Sequence, residues 1–336
     1  MTTTPPADPR IPVTVLTGFL GAGKTTLLNQ LLRAPGGRRI AVIENELGEQ
    51  SIDGALLVNT ADEIVTLNNG CLCCTIRQDL VTALGELAER RFRGELQFDT
   101  VVIETTGVAE PAPVIQTLLA EAAMVARYRL DAVVTLVDAI HGLGQLIGHK
   151  EAQAQIASAD LLLVSKGDHP QAQPLSALEP PLRRLNPLAP ITAIAHGQLA
   201  ADALFERNAY DQQRPQRFFA SFGQQPPSAH QLAISAVMIE EPRPFDLRRF
   251  EVVLAALTQT LGEQLLRYKG VVAEAGNPNK VVFQGVQMIY GGDEIGPWGD
   301  EQPISRMVFI GRELPETTIR GLIDTAIADA DQSDAA

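Results

Sequence analysis

From residue 11 to about residue 195, short apolar runs alternate with segments that have the spacing of amphipathic helices. The runs are rich in Val, Ile and Leu without polar alternation, which indicates strands buried on both faces. The predicted strands are VTVLT (13–17), IAVIE (40–44), EIVTL (63–67), TVVIE (100–104), AVVTLVD (132–138), LLLVS (161–165) and PITAIA (190–195). Strands separated by helices predict an α/β domain with a mostly parallel sheet.

The hydrophobic pattern changes after residue 204. Residues 205–231 are rich in Gln, Pro and Arg and have no clear period, which predicts a linker. Residues 232–238 alternate like a strand, and residues 246–268 have apolar positions at three- and four-residue steps. We therefore expect a helix over 246–268, with Gly270 as its stop. KVVFQGVQMIY and RMVFIG then predict strands, so the second domain is predicted to be α+β.

The net charge and the lengths of the apolar runs oppose nucleic-acid and membrane partners. The chain of 336 residues has a formal net charge of -13, which opposes binding to the phosphates of nucleic acid or of an anionic membrane. No run approaches the roughly 18 apolar residues of a membrane helix. The N-terminal MTTTPPADPR also lacks the pattern of a secretion signal. We expect a cytoplasmic protein with no nucleic-acid partner and no membrane partner.

A phosphate-binding motif follows the first predicted strand. GFLGAGKT matches the P-loop pattern G-x-x-x-x-G-K-[ST], with VTVLT before it and the helical sequence TTLLNQLL after it. Backbone N–H groups of such a loop cradle phosphate oxygens, the Lys neutralises the β- and γ-phosphates, and the hydroxyl binds Mg²⁺. The predicted nucleotide-binding residues are Gly18, Gly21, Ala22, Gly23, Lys24, Thr25 and Thr26, with Lys24 also catalytic and Thr25 a magnesium ligand.

A carboxylate ends the predicted strand TVVIE. Glu104 is followed by Thr-Thr-Gly107. At a strand end beside the P-loop, a carboxylate can hold a magnesium-bound water, and a glycine lets the next loop approach the γ-phosphate. We predict Glu104 as a catalytic residue and Gly107 as part of the nucleotide site.

The sequence SKGD, residues 165–168, follows LLLV and is a candidate base-binding loop. The Asp168 carboxylate can accept hydrogen bonds from guanine N1–H and N2–H₂, a pair that adenine does not offer. The usual GTPase sequence is Asn-Lys-x-Asp, and Ser165 replaces the Asn here. We therefore predict GTP as the nucleotide, with Lys166 and Asp168 at its base.

The three cysteines of the chain lie together in Cys71-Leu72-Cys73-Cys74, after EIVTL. Asn69-Gly70 predicts a turn that brings the thiols to one side, where they suit Zn²⁺ or a similar ion. The alternatives are a redox role and burial as small apolar residues. Three thiolates are fewer than the four ligands of a closed zinc site, so a carboxylate, a His or water must complete it.

The candidate additional ligand lies in ENELGE, residues 44–49, after the second predicted strand. A switch loop at this position could face the γ-phosphate, and switch loops reorganise when that phosphate is lost. If one loop contacts both nucleotide and metal, hydrolysis changes the affinity for metal. Glu46 and Glu49 are also candidates for orienting the attacking water.

Taken in order, GxxGxGKTT, ENE-x-GE, NGCLCC, ETTG with AEP, and SKGD resemble the motifs of the CobW-type metallochaperone GTPases. These are relatives of the GTPases that help insert nickel into urease and hydrogenase. LLRYKG, VVFQGVQ and MVFIGREL resemble the C-terminal domain of the family, and the resemblance extends roughly from residue 11 to residue 327. The resemblance implies Lys24 and Thr25 at phosphate and Mg²⁺, Glu104 in a Walker-B-like role and Asp168 at guanine.

The same resemblance implies a metal site at the cysteine loop. Cys73 and Cys74, with Glu44 and Cys71, would hold zinc or another divalent ion such as Co²⁺ or Ni²⁺. The sequence departs from the family at Ser165, and it lacks the His-rich stretch of many members. The missing His residues argue against metal storage.

The predicted organisation follows from these motifs. It is a disordered tail at 1–10, a P-loop GTPase domain at 11–204, a linker at 205–231, a CobW-like α+β domain at 232–327 and a disordered tail at 328–336.

The leading functional hypothesis is a GTP-hydrolysing metallochaperone that binds a divalent metal at its CxCC loop and transfers it to a client protein. We expect slow hydrolysis without client or metal, because no arginine finger accompanies the phosphate motifs. The alternatives are a P-loop kinase that uses ATP, and a zinc or redox sensor in which nucleotide only stabilises the fold. The sequence leaves the client, the metal and the oligomeric state open, with a homodimer among the alternatives.

Overall fold

A computed structural model of the protein describes residues 8–45, 55–60, 63–68, 76–210 and 233–329. For residues 45, 55–60, 63–68 and 76 it describes the backbone alone. No helix in these ranges is long and apolar enough to cross a membrane.

The first domain is built on one twisted sheet. Its strands are β1 (Ile11–Gly18), β2 (Ile40–Asn45), β3 (Ala55–Thr60), β4 (Glu63–Asn68), β5 (Thr100–Thr105), β6 (Tyr128–Asp138), β7 (Leu161–Ser165) and β8 (Ile191–Ala193). The order across the sheet is β4-β3-β2-β5-β1-β6-β7-β8. The strands from β2 to β8 in that order run parallel, and β3 and β4 add an antiparallel edge. The predicted α/β fold with a mostly parallel sheet is confirmed.

Helices cover both faces of this sheet. They are α1 (Lys24–Arg33), α2 (Ile76–Phe92), α3 (Ala112–Ala120), α4 (Ala122–Val125), α5 (Gly142–Gly148), α6 (Lys150–Ala157), α7 (Leu175–Leu185) and α8 (Ala201–Leu204). Leu84 and Leu87 of α2 bury against one face, and Leu27 and Leu31 of α1 bury against the other. Because both faces are covered, the central strands carry continuous apolar sequence, which is the pattern from which the fold was predicted.

The second domain is an antiparallel sheet with two helices packed on it. Its elements are β9 (Ile234–Glu241), α9 (Leu247–Leu261), β10 (Leu265–Ala273), β11 (Asn279–Val286), β12 (Ile289–Pro297), β13 (Ser305–Arg312) and α10 (Glu316–Asp324). The order across the sheet is β12-β11-β10-β13-β9. The predicted α+β class is confirmed.

The helix predicted over 246–268 is wrong in its last part. The helix ends at Leu261, because Gly262 has φ 49° and breaks the backbone pattern. A short 3₁₀ turn follows, and Leu265 begins β10, which is paired on both sides by β11 and β13. KVVFQGVQMIY is likewise two strands, since Gln287 at φ 52° turns the chain between β11 and β12.

The two domains share apolar and ionic contacts. Val286 of β11 packs in the core of the first domain, and Leu266 of β10 packs with side chains of α6 and α7. Asp160 forms a buried ion pair with Arg267 across the interface. Residues 205–210, which the sequence pattern predicts to be part of the linker, lie against the first domain, where Phe205 is buried in its core.

Candidate nucleotide and metal site

The loop between β1 and α1 has the conformation of a phosphate cradle. Gly23 is the N-cap of α1 with φ 94°, in the left-handed region that glycine adopts without strain. Gly18 has φ 143°, and a Cβ there would lie 2.6 Å from the carbonyl oxygen of Leu136 on β6. The loop therefore requires glycine at both positions, and its backbone N–H groups meet the positive end of α1.

The P-loop lysine lies inside this loop. Lys24 is only 8% exposed, and its Nζ donates to the carbonyl of Gly18 at 2.8 Å. Burial lowers the pKa of Lys24, and the nearby Glu104 carboxylate opposes this shift. Because a buried charge is costly unless it is paired, a phosphate would supply the anionic partner that this buried ammonium needs.

Thr25 and Glu104 meet at the ends of neighbouring elements. The Thr25 hydroxyl donates to Glu104 Oε1 at 3.1 Å, and the adjacent strands are further tied by a 2.8 Å hydrogen bond between Thr105 and Thr17. A hydroxyl and a carboxylate are oxygen ligands of the kind that Mg²⁺ prefers, so the residues present fit the ion. The structure thus brings together the two side chains that the sequence assigns to magnesium.

The loop after β5 reaches the phosphate loop through Gly107. A Cβ on Gly107 would lie 2.6 Å from Cδ2 of Leu20 and 2.7 Å from its backbone nitrogen. Gln155, buried on α6, donates through Nε2 to the carbonyls of Gly107 at 3.1 Å and Ala109 at 2.9 Å. Sequence reasoning missed Gln155, because nothing in its own segment indicates a role at a loop 46 or more residues away.

The SKGD loop lies beside the phosphate loop at the end of β7. The Ser165 hydroxyl donates to the carbonyl of Ala22 at 2.6 Å, so serine ties the two loops together at the position of the usual asparagine. Lys166, at φ 59°, pairs with Asp138 at 2.7 Å. Burial raises the pKa of Asp138, but the Lys166 bond and two backbone N–H donors outweigh it and leave the pKa below its ordinary value.

Asp168 has a neighbour that the sequence did not indicate. His196, in the loop after β8, has its Nδ1 3.0 Å from Asp168 Oδ2. The His196 side chain is largely exposed and its backbone has φ 51°. Topology places the two loops together because β7 and β8 are parallel neighbours.

Glu44 lies next to Glu104. In the parallel pairing of β2 with β5, these two residues are directly in register, so their side chains leave the sheet on the same face. Cys71, Cys73, Cys74, Glu46 and Glu49 lie outside the described residues. Within the described residues, no group of three or more His, Cys, Asp or Glu side chains could hold a metal ion.

Comparisons with known proteins show which family the chain resembles. Residues 12–193 match the family model of the CobW/HypB/UreG nucleotide-binding domain, and residues 234–327 match the cobalamin synthesis protein CobW C-terminal domain. The zinc chaperone YjiA of Escherichia coli is 42% identical over 316 residues, which cover 92% of this chain and 96% of YjiA. The zinc chaperone CobW of Pseudomonas aeruginosa is 33% identical over 361 residues, covering 95% of this chain and 92% of that protein.

A solved structure extends the similarity to three dimensions. The crystal structure of Zn(II)-bound YjiA GTPase from E. coli superposes with a TM-score of 0.79 at 39% identity. The superposition covers 95% of this chain and 99% of the YjiA chain. Both domains are therefore common to the two proteins.

Proposed function

The chain belongs to the CobW/HypB/UreG family of nucleotide-binding proteins, and from this we propose that it is a GTP-hydrolysing zinc metallochaperone. Its cargo is zinc or a similar divalent metal such as Co²⁺ or Ni²⁺, bound at the Cys71–Cys74 loop. GTP hydrolysis weakens that binding, and the metal passes to a client protein. Relatives named as zinc chaperones and as a zinc-regulated GTPase metalloprotein activator support the proposal.

We assign the nucleotide chemistry to the following residues. Lys24 neutralises charge on the β- and γ-phosphates. Thr25 and Glu104 would hold Mg²⁺, which would offset the charge that develops on the phosphates. Asp168 reads guanine, and Ser165 holds the base loop against the phosphate loop. Glu46 and Glu49 remain candidates for orienting the attacking water.

The single observation that carries the metallochaperone proposal is the register of Glu44 with Glu104. One carboxylate is the candidate cargo ligand, and the other contacts the P-loop threonine at 3.1 Å. Adjacent strands lie about 4.8 Å apart. Glu44 therefore lies about one strand spacing from the carboxylate assigned to magnesium, close enough for loss of the γ-phosphate to alter cargo binding.

The test is zinc affinity measured by chelator competition on reduced protein, once with GDP and once with a non-hydrolysable GTP analogue. We expect at least tenfold tighter zinc binding with the analogue, which is about 1.4 kcal/mol of coupling. By reciprocity, zinc should strengthen binding of the analogue over GDP by the same factor.

Variants identify the ligands. Cys73→Ser with Cys74→Ser should abolish tight zinc binding, and Glu44→Gln should weaken it and reduce the nucleotide dependence. Glu179→Gln, on the half-exposed face of α7, is the control and should behave as wild type. Equal zinc affinity with both nucleotides would refute the coupled cycle and favour a zinc sensor, and preference for ATP with acceptor-dependent turnover would favour a kinase.

A further inference from the structure

The loop that approaches the P-loop is also held by the second domain. Glu110 lies three residues after Gly107, and its carboxylate forms an ion pair with Arg312, the last residue of β13. The second terminal nitrogen of the Arg312 guanidinium, Nη1, donates to the carbonyl of Glu263 at 3.3 Å, within its own domain. Arg312 therefore links the end of a strand in the second domain to the loop that contacts the P-loop at Gly107.

A second contact holds the helix that follows this loop. The side chains of Gln116 on α3 and Gln287 are hydrogen-bonded to each other. Gln287 forms the turn between β11 and β12 and is only 8% exposed. Pro111, the N-cap of α3, joins Glu110 to the helix with a restricted φ. The second domain therefore contacts the loop at Glu110 and the helix at Gln116.

The opposite end of the loop has little freedom. Gly107 abuts the backbone of Leu20, and Gln155 binds the carbonyls of Gly107 and Ala109. The Arg312–Glu110 pair is partly exposed, at 25% and 35%, so its net contribution to stability is small. Its effect is on position, because it fixes one end of a loop whose other end touches the phosphate cradle.

We propose that Arg312 is a positioning residue for GTP hydrolysis, acting through Glu110 to set the approach of the Gly107 loop to the γ-phosphate. The inference rests on the proposed GTPase function and adds its regulation. A client or a metal that moves the second domain alters the hydrolysis rate through this ion pair.

The test compares Arg312→Ala with Arg306→Ala in full-length protein. Arg306 lies on the same strand, but its ion-pair partner is Glu240 of the same domain. We expect kcat for GTP hydrolysis to fall about tenfold to 100-fold in Arg312→Ala, because small displacements at a reacting centre cost this much. GDP affinity should change less than threefold, and Arg306→Ala should hydrolyse GTP as wild type does.

A charge exchange separates position from folding. Glu110→Arg combined with Arg312→Glu should recover most of the kcat that either single change loses. Unchanged or higher kcat in Arg312→Ala, with the wild type active, would overturn the inference and leave the proposed function standing.

Hydrogen exchange gives a readout that does not depend on activity. Amides of residues 107–120 should exchange faster in Arg312→Ala than in Arg306→Ala, with GDP bound in both. Equal exchange of this segment in the two variants would overturn the inference, whether or not the wild type hydrolyses GTP. A wild type inactive on GTP would instead refute the proposed function.

Discussion

The buried ion pair between the domains gives the sharpest stability prediction. Asp160 and Arg267 are 4% and 3% exposed, and Lys269, 19% exposed, lies 3.5 Å from the same carboxylate oxygen. The Asp160 side chain also accepts the backbone N–H of Val133 at 2.9 Å. Burial raises the pKa of Asp160, but the two cations and these hydrogen bonds outweigh it and hold the pKa below its ordinary value.

Asp160→Asn leaves the buried Arg267 and the partly buried Lys269 without their anion. Breaking a buried pair from one side costs about 3–5 kcal/mol, and we expect a value near 3 because Lys269 can lose its proton. At about 2 °C per kcal/mol for a chain of this length, the melting temperature should fall by roughly 6 °C. Asp160→Asn should also lack the acid loss of stability that the wild type shows as pH falls through the lowered pKa of Asp160.

The matched control is Lys269→Met, in the same cluster. Burial lowers the pKa of Lys269 to about 8 from 10.5, with a further lowering by Arg267. Between these two values the unfolded state binds more protons, so wild-type stability should rise with pH from about 8 to 10.5. Lys269→Met keeps the Asp160–Arg267 pair, and it should melt near the wild type at pH 7 and lack that rise.

The assay is thermal unfolding followed by far-UV circular dichroism and by fluorescence of Trp298, the single tryptophan. Trp298 is buried in the second domain, so its signal reports that domain alone. Asp160→Asn should lower the midpoint by both probes, and its midpoint is compared with that of Lys269→Met at each pH. A midpoint for Asp160→Asn within 1–2 °C of wild type, about 1 kcal/mol or less, would refute the reasoning.

Two further predictions concern the nucleotide site. Gly107→Ala would place a Cβ 2.6–2.8 Å from Leu20 atoms, so we expect the loop to shift. The protein should fold, and its kcat, measured by phosphate release, should fall about 100-fold. An unchanged kcat would contradict a role for this contact in hydrolysis. Asp168→Asn should lower GTP affinity at least tenfold and favour xanthosine triphosphate, whose 2-oxo group can accept a hydrogen bond from the new amide. His196→Ala should keep the preference for GTP over ATP. A GTP affinity in Asp168→Asn equal to that of the wild type would remove Asp168 from the base site.

Much of the first domain could be predicted because its local signals agree with one another. Continuous apolar runs, a P-loop between strand and helix, and Glu104 at a strand end are all set by nearby sequence. The last part of the helix predicted over 246–268 failed because Leu265 continues its apolar spacing. A leucine such as Leu265 fits both a buried strand and the buried face of a helix. The positive φ of Gly262 is what ends the helix before this residue.

Contacts between distant segments could not be predicted in this way. Gln155, His196 and Arg312 act on loops far from them in sequence, and their own segments carry no pattern that indicates it. The pairing of β7 with β8 sets the His196–Asp168 contact, and the packing of the second domain sets the Arg312–Glu110 contact. Such contacts follow from topology, which local periodicity does not specify.

β7 links a contact with the second domain to a contact with the phosphate loop. Asp160, with its interdomain ion pair, immediately precedes the strand, and Ser165, with its bond to the phosphate loop, ends it. The strand has 5 residues, all buried, and it pairs with β6 and β8 on its two sides, so it has little room to bend. The second domain therefore contacts the residue before β7 through Arg267 and the Gly107 loop through Arg312. Under the proposed function the SKGD loop at the end of β7 binds guanine and the Gly107 loop approaches the γ-phosphate, so a client that moves the second domain is expected to act on guanine binding and on hydrolysis together.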